Sequence, residues 1–158
     1  MRQDSGYGDM VKEEVLKNVR DKFGAKIKNV SEKSARRVYM DIDPKDISEI
    51  AGYIFGGLDA RLSTASCVDV LNGMEILYHF TLDGAGLVLS LRVFLDKKDL
   101  SIESITPIIK GAEWIEREIH ELFGVDFRNH PNLKPLLLPE GWPEGVYPLR
   151  KDYKPDEP

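Results

Sequence analysis

The segment "EWIEREIHELFG" packs Glu113, Glu116, Arg117, Glu118, His120 and Glu121 into little more than two helical turns. A glutamate within hydrogen-bond reach of a histidine is the usual equipment of general acid–base catalysis. Glu116 and His120 stand four residues apart, as do Glu113 and Arg117, and Arg117 and Glu121. On a helix that spacing makes neighbours along one side, which suits a solvated, salt-bridged face at least as well as an active site. The solvated face is the expectation. The stretch also lacks the second histidine of H-E-x-x-H, so it makes no zinc pair.

The other reactive residue types are isolated. Cys67 lies in a strand pattern with no histidine or basic neighbour and reads as a packed thiol rather than a nucleophile. His79 falls on the less apolar side of its strand, and His130, just before Pro131, suits a structural hydrogen bond. One cysteine and three scattered histidines are too few for an iron–sulfur cluster or a structural zinc. Gly56, Gly57, Gly84 and Gly86 fit neither a dinucleotide fingerprint nor a phosphate loop and read as turns. No nucleophile–base–orienter set emerges.

The elements that must position these residues follow from pattern. A chain of 158 residues suits one domain, and 42% hydrophobic with 31% charged residues is ordinary for a globular protein. The net charge of −5 speaks against sequence-independent nucleic-acid binding. No apolar run is long enough to span a bilayer, and the lone cysteine fits a reducing cytoplasm. The first ten residues read as loose. From Asp9 a helix carries Val11, Val15, Val19 and Phe23 on one stripe, with Gly24 at its left-handed end. "RRVYMDI" alternates as a strand; then Asp43 as N-cap and Pro44 open a helix with Ile47, Ile50, Ala51 and Ile54 inward. Residues 61–95 read as three antiparallel strands, turning at Asn72-Gly73 and Asp83–Gly86. A last helix is expected from Thr106 as N-cap, with Ile108, Ala112, Ile115, Ile119 and Leu122 inward, a close backbone contact at Gly111, and an end at Gly124. The expected fold is α+β: a mostly antiparallel sheet with helices on one face over 1–128, followed by an extended proline-rich arm over 129–158.

The arm is the least ordinary part. "HPNLKPLLLPEGWPEGVYPLRKDY" holds five prolines and nine apolar side chains, with neither helical nor strand period. Proline lacks an N–H and fixes φ, so the segment joins no helix interior or central strand. It is too apolar for a free linker and needs a surface to lie on. The expectation is that His130 to Leu138 crosses the home domain while Trp142 to Tyr153 reaches a partner.

With these residues in view, "EREIHELFGVDFRNHPNLKPLLL" followed by "PLRKDY" resembles the signature of the 30 kDa subunit of proton-pumping NADH:quinone oxidoreductase (complex I). The matching positions are Glu116, Arg117, Glu118, Phe123, Gly124, Phe127, His130, Pro131 and the run Pro148, Leu149, Arg150, Lys151, Asp152, with Trp142 between them. The match runs from Ala112 to Tyr153; residues 1–105 match in pattern only. The resemblance implies a non-catalytic assembly subunit in the peripheral arm of an ion-pumping oxidoreductase. It implies no cofactor in this chain, with iron–sulfur clusters, and a nickel–iron centre or flavin, in its partners. Those partners would be a large catalytic subunit of the hydrogenase-like type and small iron–sulfur subunits, with the membrane arm touched only indirectly and the whole on the cytoplasmic side. Quinone-linked members often carry an aromatic and an aspartate where this chain has His120-Glu121, and they shorten "LPEGWPEGVYPLRK". The version from Pro143 to Tyr147 is more similar to energy-converting membrane-bound [NiFe] hydrogenases, and the reading leans to that branch. Two other readings remain: a free-standing enzyme using Glu116 or Glu118 with His120 or His130, and a soluble adaptor. On the leading reading Arg117 and Arg150 are ion-pair anchors.

Overall fold

The computed structural model describes residues 11–155. The expected looseness of the first ten residues and the helix start at Asp9 lie outside that range. The first helix, α1 (Lys12–Phe23), leads into a hairpin of β1 (Ile27–Ser34) and β2 (Arg37–Ile42), then α2 (Ile47–Gly57). A meander of β3 (Arg61–Val70), β4 (Gly73–Leu82) and β5 (Leu87–Asp96) follows. The last part runs β6 (Ser101–Glu103), α3 (Glu113–Phe123) and β7 (Asp126–Arg128).

Alternation builds the large sheet. Val38, Met40 and Ile42 of β2, Met74 to Leu82 of β4 and Leu87 to Leu95 of β5 put every second side chain on one buried face. Burial of that face against α1 and α2 gives a single core with Val15, Val19, Ile47, Ile50 and Ile54. The strand order is β1-β2-β5-β4-β3. α2 carries the chain from β2 to the far edge, and the meander returns so that β5 lies parallel to β2. The other pairings in this sheet are antiparallel, so the α+β reading and the three antiparallel strands over 61–95 hold.

The face away from that core is polar and internally paired. Arg92 donates to both carboxylate oxygens of Asp41, at 2.7 and 2.9 Å. That contact holds the Asp41 pKa below its ordinary value against the opposing effect of burial. His79 lies between Ser66 and Ser90, at 3.0 and 2.7 Å, and burial with the nearby Arg37 charge lowers its pKa.

Several local expectations are corrected. Val11 sits at the N-cap position of α1, 58% exposed, and Leu16 takes its place in the buried stripe. Gly24 has φ −51° and continues into a 3-10 turn instead of ending the helix left-handed. The Asp43 side chain pairs with Lys28 and does not cap; Pro44 opens a 3-10 turn and α2 starts only at Ile47. A Cβ on Gly111 would meet nothing within 4 Å, so no close backbone approach explains that glycine. The largest change is at α3, which begins at Glu113 and not at Thr106. The Thr106 hydroxyl is taken by the Glu116 carboxylate at 2.7 Å, and residues between Thr106 and Lys110 turn without joining the helix. Ile108, expected inward, is 47% exposed, and Glu116 stands in the buried stripe beside Ala112 and Ile119.

β6 and β7 flank α3 in sequence and pair in parallel, with Ile102 opposite Phe127. The small ladder thereby pins both ends of α3 to the domain. Phe127 is 1% exposed and packs in the main core. Phe127→Ala is expected to cost about 3–5 kcal/mol in denaturant unfolding, the range for truncating a buried aromatic. A loss of the size seen for surface substitutions would mean that the core stops short of β7.

Candidate functional site

Residues 129–155 contain no helix and no strand, so their backbone groups need partners outside any ladder. α3 supplies them. Arg117 donates from Nε to the Lys134 carbonyl at 2.9 Å and from Nη2 to the Pro135 carbonyl at 2.7 Å. One turn on, the Glu121 carboxylate accepts the N–H groups of Leu136 (3.2 Å to each oxygen), Leu137 (2.8 Å) and Leu138 (2.9 Å). A cation thus takes the carbonyls and a carboxylate takes the next three amides. Burial works to raise the Glu121 pKa, but the amides of Leu137, Leu138 and Leu136, with the Arg117 charge, outweigh it and hold it below its ordinary 4.5.

Behind this clamp lies Glu116, 0% exposed. Its Oε1 accepts from Tyr78 Oη at 3.1 Å and Ile105 N at 2.9 Å, and its Oε2 from Ser104 Oγ at 2.5 Å and Thr106 Oγ1 at 2.7 Å. Burial first, and the Glu116 charge second, push the Tyr78 pKa well up, so Tyr78 stays a donor. His130 brings Nε2 within 3.9 Å of Glu116, yet that nitrogen bonds the Glu113 carbonyl at 3.1 Å and Nδ1 accepts from Asn132 N at 3.0 Å. The ring therefore fastens the root of the arm to the start of α3. A carboxylate with four donors and no solvent access holds α3 to β4 and to the 104–106 turn; it offers nothing to a substrate.

The arm returns to the other end of the helix. Leu149 N donates to the Leu122 carbonyl at 3.1 Å, and Arg150 Nε to the Phe123 carbonyl at 2.6 Å. These are terminal carbonyls that α3 cannot satisfy itself, and a cation there also suits the helix dipole. Arg150 stacks 4.3 Å over the Tyr147 ring. Gly124 makes this possible: its φ is +77°, and a Cβ there would lie 2.5 Å from Arg150 Nη2 and 2.6 Å from the Tyr147 ring. Lys151 N then donates to Asp69 Oδ2 at 2.8 Å, with Lys97 3.5 Å from the other oxygen. The Lys151 amide, helped by Lys97 and opposed by burial, keeps the Asp69 pKa below its ordinary value. Between the two passes, Trp142 Nε1 closes a loop by donating to the Val146 carbonyl at 2.8 Å.

The structure thus brings Glu116, Arg117, Phe123, Gly124, His130 and Arg150 onto one helix and its wrapping. Phe127 belongs to the core, Glu118 is half-buried, and Pro131 and Asp152 are exposed. Two expectations are corrected. Glu116 and Glu121, placed on a solvated face by spacing, are buried because each receives donors from elsewhere in the chain. Arg117 and Arg150, expected as ion-pair anchors, grip backbone carbonyls instead, and the Leu149 and Lys151 amides bond to their own domain. Sequence reasoning missed the roles of Glu121, Asp69, Tyr147 and Tyr78. His120 donates Nδ1–H to the Val125 carbonyl at 2.7 Å, and burial pushes Cys67, which packs on the core, up to about 12.

Because the folded-state pKa of Glu121 is depressed, its grip is complete above about pH 4.5 and is lost as pH falls through the folded value. Glu121→Gln should remove that acid sensitivity and raise amide exchange at Leu136, Leu137 and Leu138 at neutral pH; unchanged exchange would show that the carboxylate does not hold the arm. Gly124→Ala, strained in φ and in contact with Tyr147 and Arg150, should cost about 1–3 kcal/mol and loosen residues 147–151 before the core. Limited proteolysis reads the order of the two events, and equal loosening of arm and core would contradict it.

A family model described as "Respiratory-chain NADH dehydrogenase, 30 Kd subunit" matches residues 40–158. The chain is 34% identical over 143 residues to the C subunit of the F(420)H(2) dehydrogenase of Methanosarcina mazei, covering 89% of this chain and 90% of that protein. It is 38% identical over 101 residues to the C/D subunit of the NADH-quinone oxidoreductase of Erwinia tasmaniensis, covering 64% of this chain but 16% of that longer protein. Among solved structures, a chain of the membrane-bound sulfane sulfur reductase, an archaeal respiratory membrane complex, superposes with a TM-score of 0.78 at 22% identity over 90% of this chain and 85% of that one. A fragment of Nqo5 (1-134), described as trypsin-resistant, gives 0.65 at 20% identity, covering 77% of this chain and 98% of that one. These two establish the fold. The family match and the Methanosarcina relative establish more: the chain belongs to the family of the 30 kDa subunit of respiratory-chain NADH dehydrogenase.

Proposed function

We propose that the chain is the 30 kDa-type subunit of a complex I-like oxidoreductase, a structural component of its peripheral arm that presents a shaped, irregular surface to neighbouring subunits. One observation carries the reading: Arg117 and Glu121, both on the exposed-looking side of α3, are spent on the backbone of residues 134–138. A helix whose charged groups are consumed in shaping its own arm is built for assembly. The arm over 129–158 is the docking part and 1–128 the domain that carries it.

The partners that suit this role are a large catalytic subunit of the hydrogenase-like type and small iron–sulfur subunits, which hold the redox centres on the cytoplasmic side. No helix among the described residues is long and apolar enough to cross a membrane. The branch follows the best-covered relative described above. Similarity over nine-tenths of both chains to a subunit of an F(420)H(2) dehydrogenase supports a dehydrogenase that oxidises a reduced cofactor, in preference to the hydrogenase branch suggested by the Pro143–Tyr147 insertion.

The test is a pull-down of the tagged chain from native membranes in mild detergent, with subunit mass spectrometry and iron and nickel analysis. Iron–sulfur and large catalytic subunits without nickel are expected. Nickel would move the complex to the hydrogenase branch, and recovery of the chain alone would overturn the assembly role.

A further inference from the structure

The loop between the two passes of the arm borders a half-open pocket of about 480 Å³ against the end of α3. Most of its wall is apolar, formed by Pro135, Leu138, Pro139, Trp142, Val146 and Tyr147. A volume of this size is that of a binding pocket for a small molecule or a large side chain. Two features state what would fill it. Glu140 and Glu144 are exposed in the same loop and line the cavity, and neither has an ion-pair or hydrogen-bond partner among the described residues. No lysine or arginine among the described residues lines it. The His120 ring is also in the wall; because a carbonyl can only accept, Nδ1–H donates to Val125, and Nε2 takes no part in that bond. The pocket therefore offers aromatic faces and the unpaired carboxylates of Glu140 and Glu144 beside the already bonded Glu121, and no lysine or arginine among the described residues lines it.

We infer that this pocket receives an arginine or lysine side chain, presented next to an apolar residue by a segment of a neighbouring subunit. The inference rests on the assembly reading and names the chemistry of the segment that the arm meets. A cation over Trp142 gains from the ring face, its N–H groups reach Glu140 and Glu144, and its aliphatic stem covers the prolines. The arrangement also accounts for the length of the loop. Direct passage from Leu138 to Pro148 along α3 would leave only the bonded Glu121 carboxylate here, whereas the excursion through Trp142 adds Glu140 and Glu144, on a loop that the Trp142–Val146 bond closes.

The experiment uses the full tagged chain in its native complex. A photo-reactive benzoylphenylalanine replaces Glu144, and the cross-linked partner peptide is sequenced by mass spectrometry. In parallel, Glu140→Lys/Glu144→Lys and Glu140→Gln/Glu144→Gln chains are compared for complex yield at low and high salt. The expected results are a cross-linked peptide with arginine or lysine at its centre and a yield falling about tenfold or more on charge reversal, the scale of like-charge juxtaposition at an interface. The glutamine pair should lose less and lose its salt dependence. An intact complex with no cross-link from this loop, a cross-linked peptide without a basic residue, or an undiminished yield of the reversed chain would overturn the inference and leave the assembly role standing. Failure of the wild-type chain to bring down any complex would instead overturn the assembly role itself.

Discussion

The fold of the last third of this chain depends on one arrangement: a buried carboxylate and a guanidinium, one helical turn apart, that replace a neighbouring strand for five residues of irregular backbone. Lys134 to Leu138 present two carbonyls and three amides that no ladder satisfies. Leaving such groups unpaired costs on the order of 1–3 kcal/mol each once water is excluded. Arg117 and Glu121 meet all five. Opposite charges are required, since one side chain must donate twice and the other accept repeatedly. The proline spacing fits the same demand, because Pro131, Pro135 and Pro139 remove amides that would otherwise need partners.

The clamp works only if α3 is itself immobile, and that is the service of Glu116. Its four donors come from β4 and from the turn at 104–106, so the helix is tied to the sheet on one side and to the β6–β7 ladder at both ends. Arg150 and Leu149 then complete the C-terminal carbonyls of the same helix. Glu116, Arg117, Glu121 and Gly124 thus form one mechanical sequence along α3: anchor, grip, grip, crossing point. A change in one is felt by the next through backbone position and not through charge alone.

Much of this fold is legible in local pattern. Strands with one apolar side chain in two, as in "MEILYHFTL", declare both their type and their buried face. β1, "IKNVSEKS", does not, because an edge strand half in water carries only Ile27 and Val30 toward the core. The start of α3 defeats local reading because Thr106-Pro107 is a sound helix-start signal that a long-range acceptor, Glu116, captures first. The candidate site is legible as a set of residues and illegible as a geometry. Spacing of four places Glu113, Arg117 and Glu121 on one side of a helix but says nothing of what lies over them. Asp69 carries no local sign at all, since its partner amide is 82 residues away. One available signal points to Glu121: three consecutive leucines in a segment without secondary structure need an acceptor for their amides, and the nearest dense supply of acceptors is the acidic face of α3.

A charged, histidine-bearing helix in an oxidoreductase family invites a catalytic reading, and hydrogen-bond counting shows what several of its polar groups do instead. Catalytic carboxylates keep at least one lone pair and one approach for a reacting group. Glu116 has four donors and no exposure, and Glu121 has four contacts from three amides. His130 uses both ring nitrogens on backbone groups, and His120 uses one. Glu116, Glu121 and His130 are thus committed to holding the chain in place, whereas half-buried Glu118 on the same helix has no partner among the described residues. Further uncommitted carboxylates lie on the loop around Trp142, where Glu140 and Glu144 border a groove also lined by Trp142, Tyr147 and His120. Side chains used internally define the shape, and the few left over define what the shape meets.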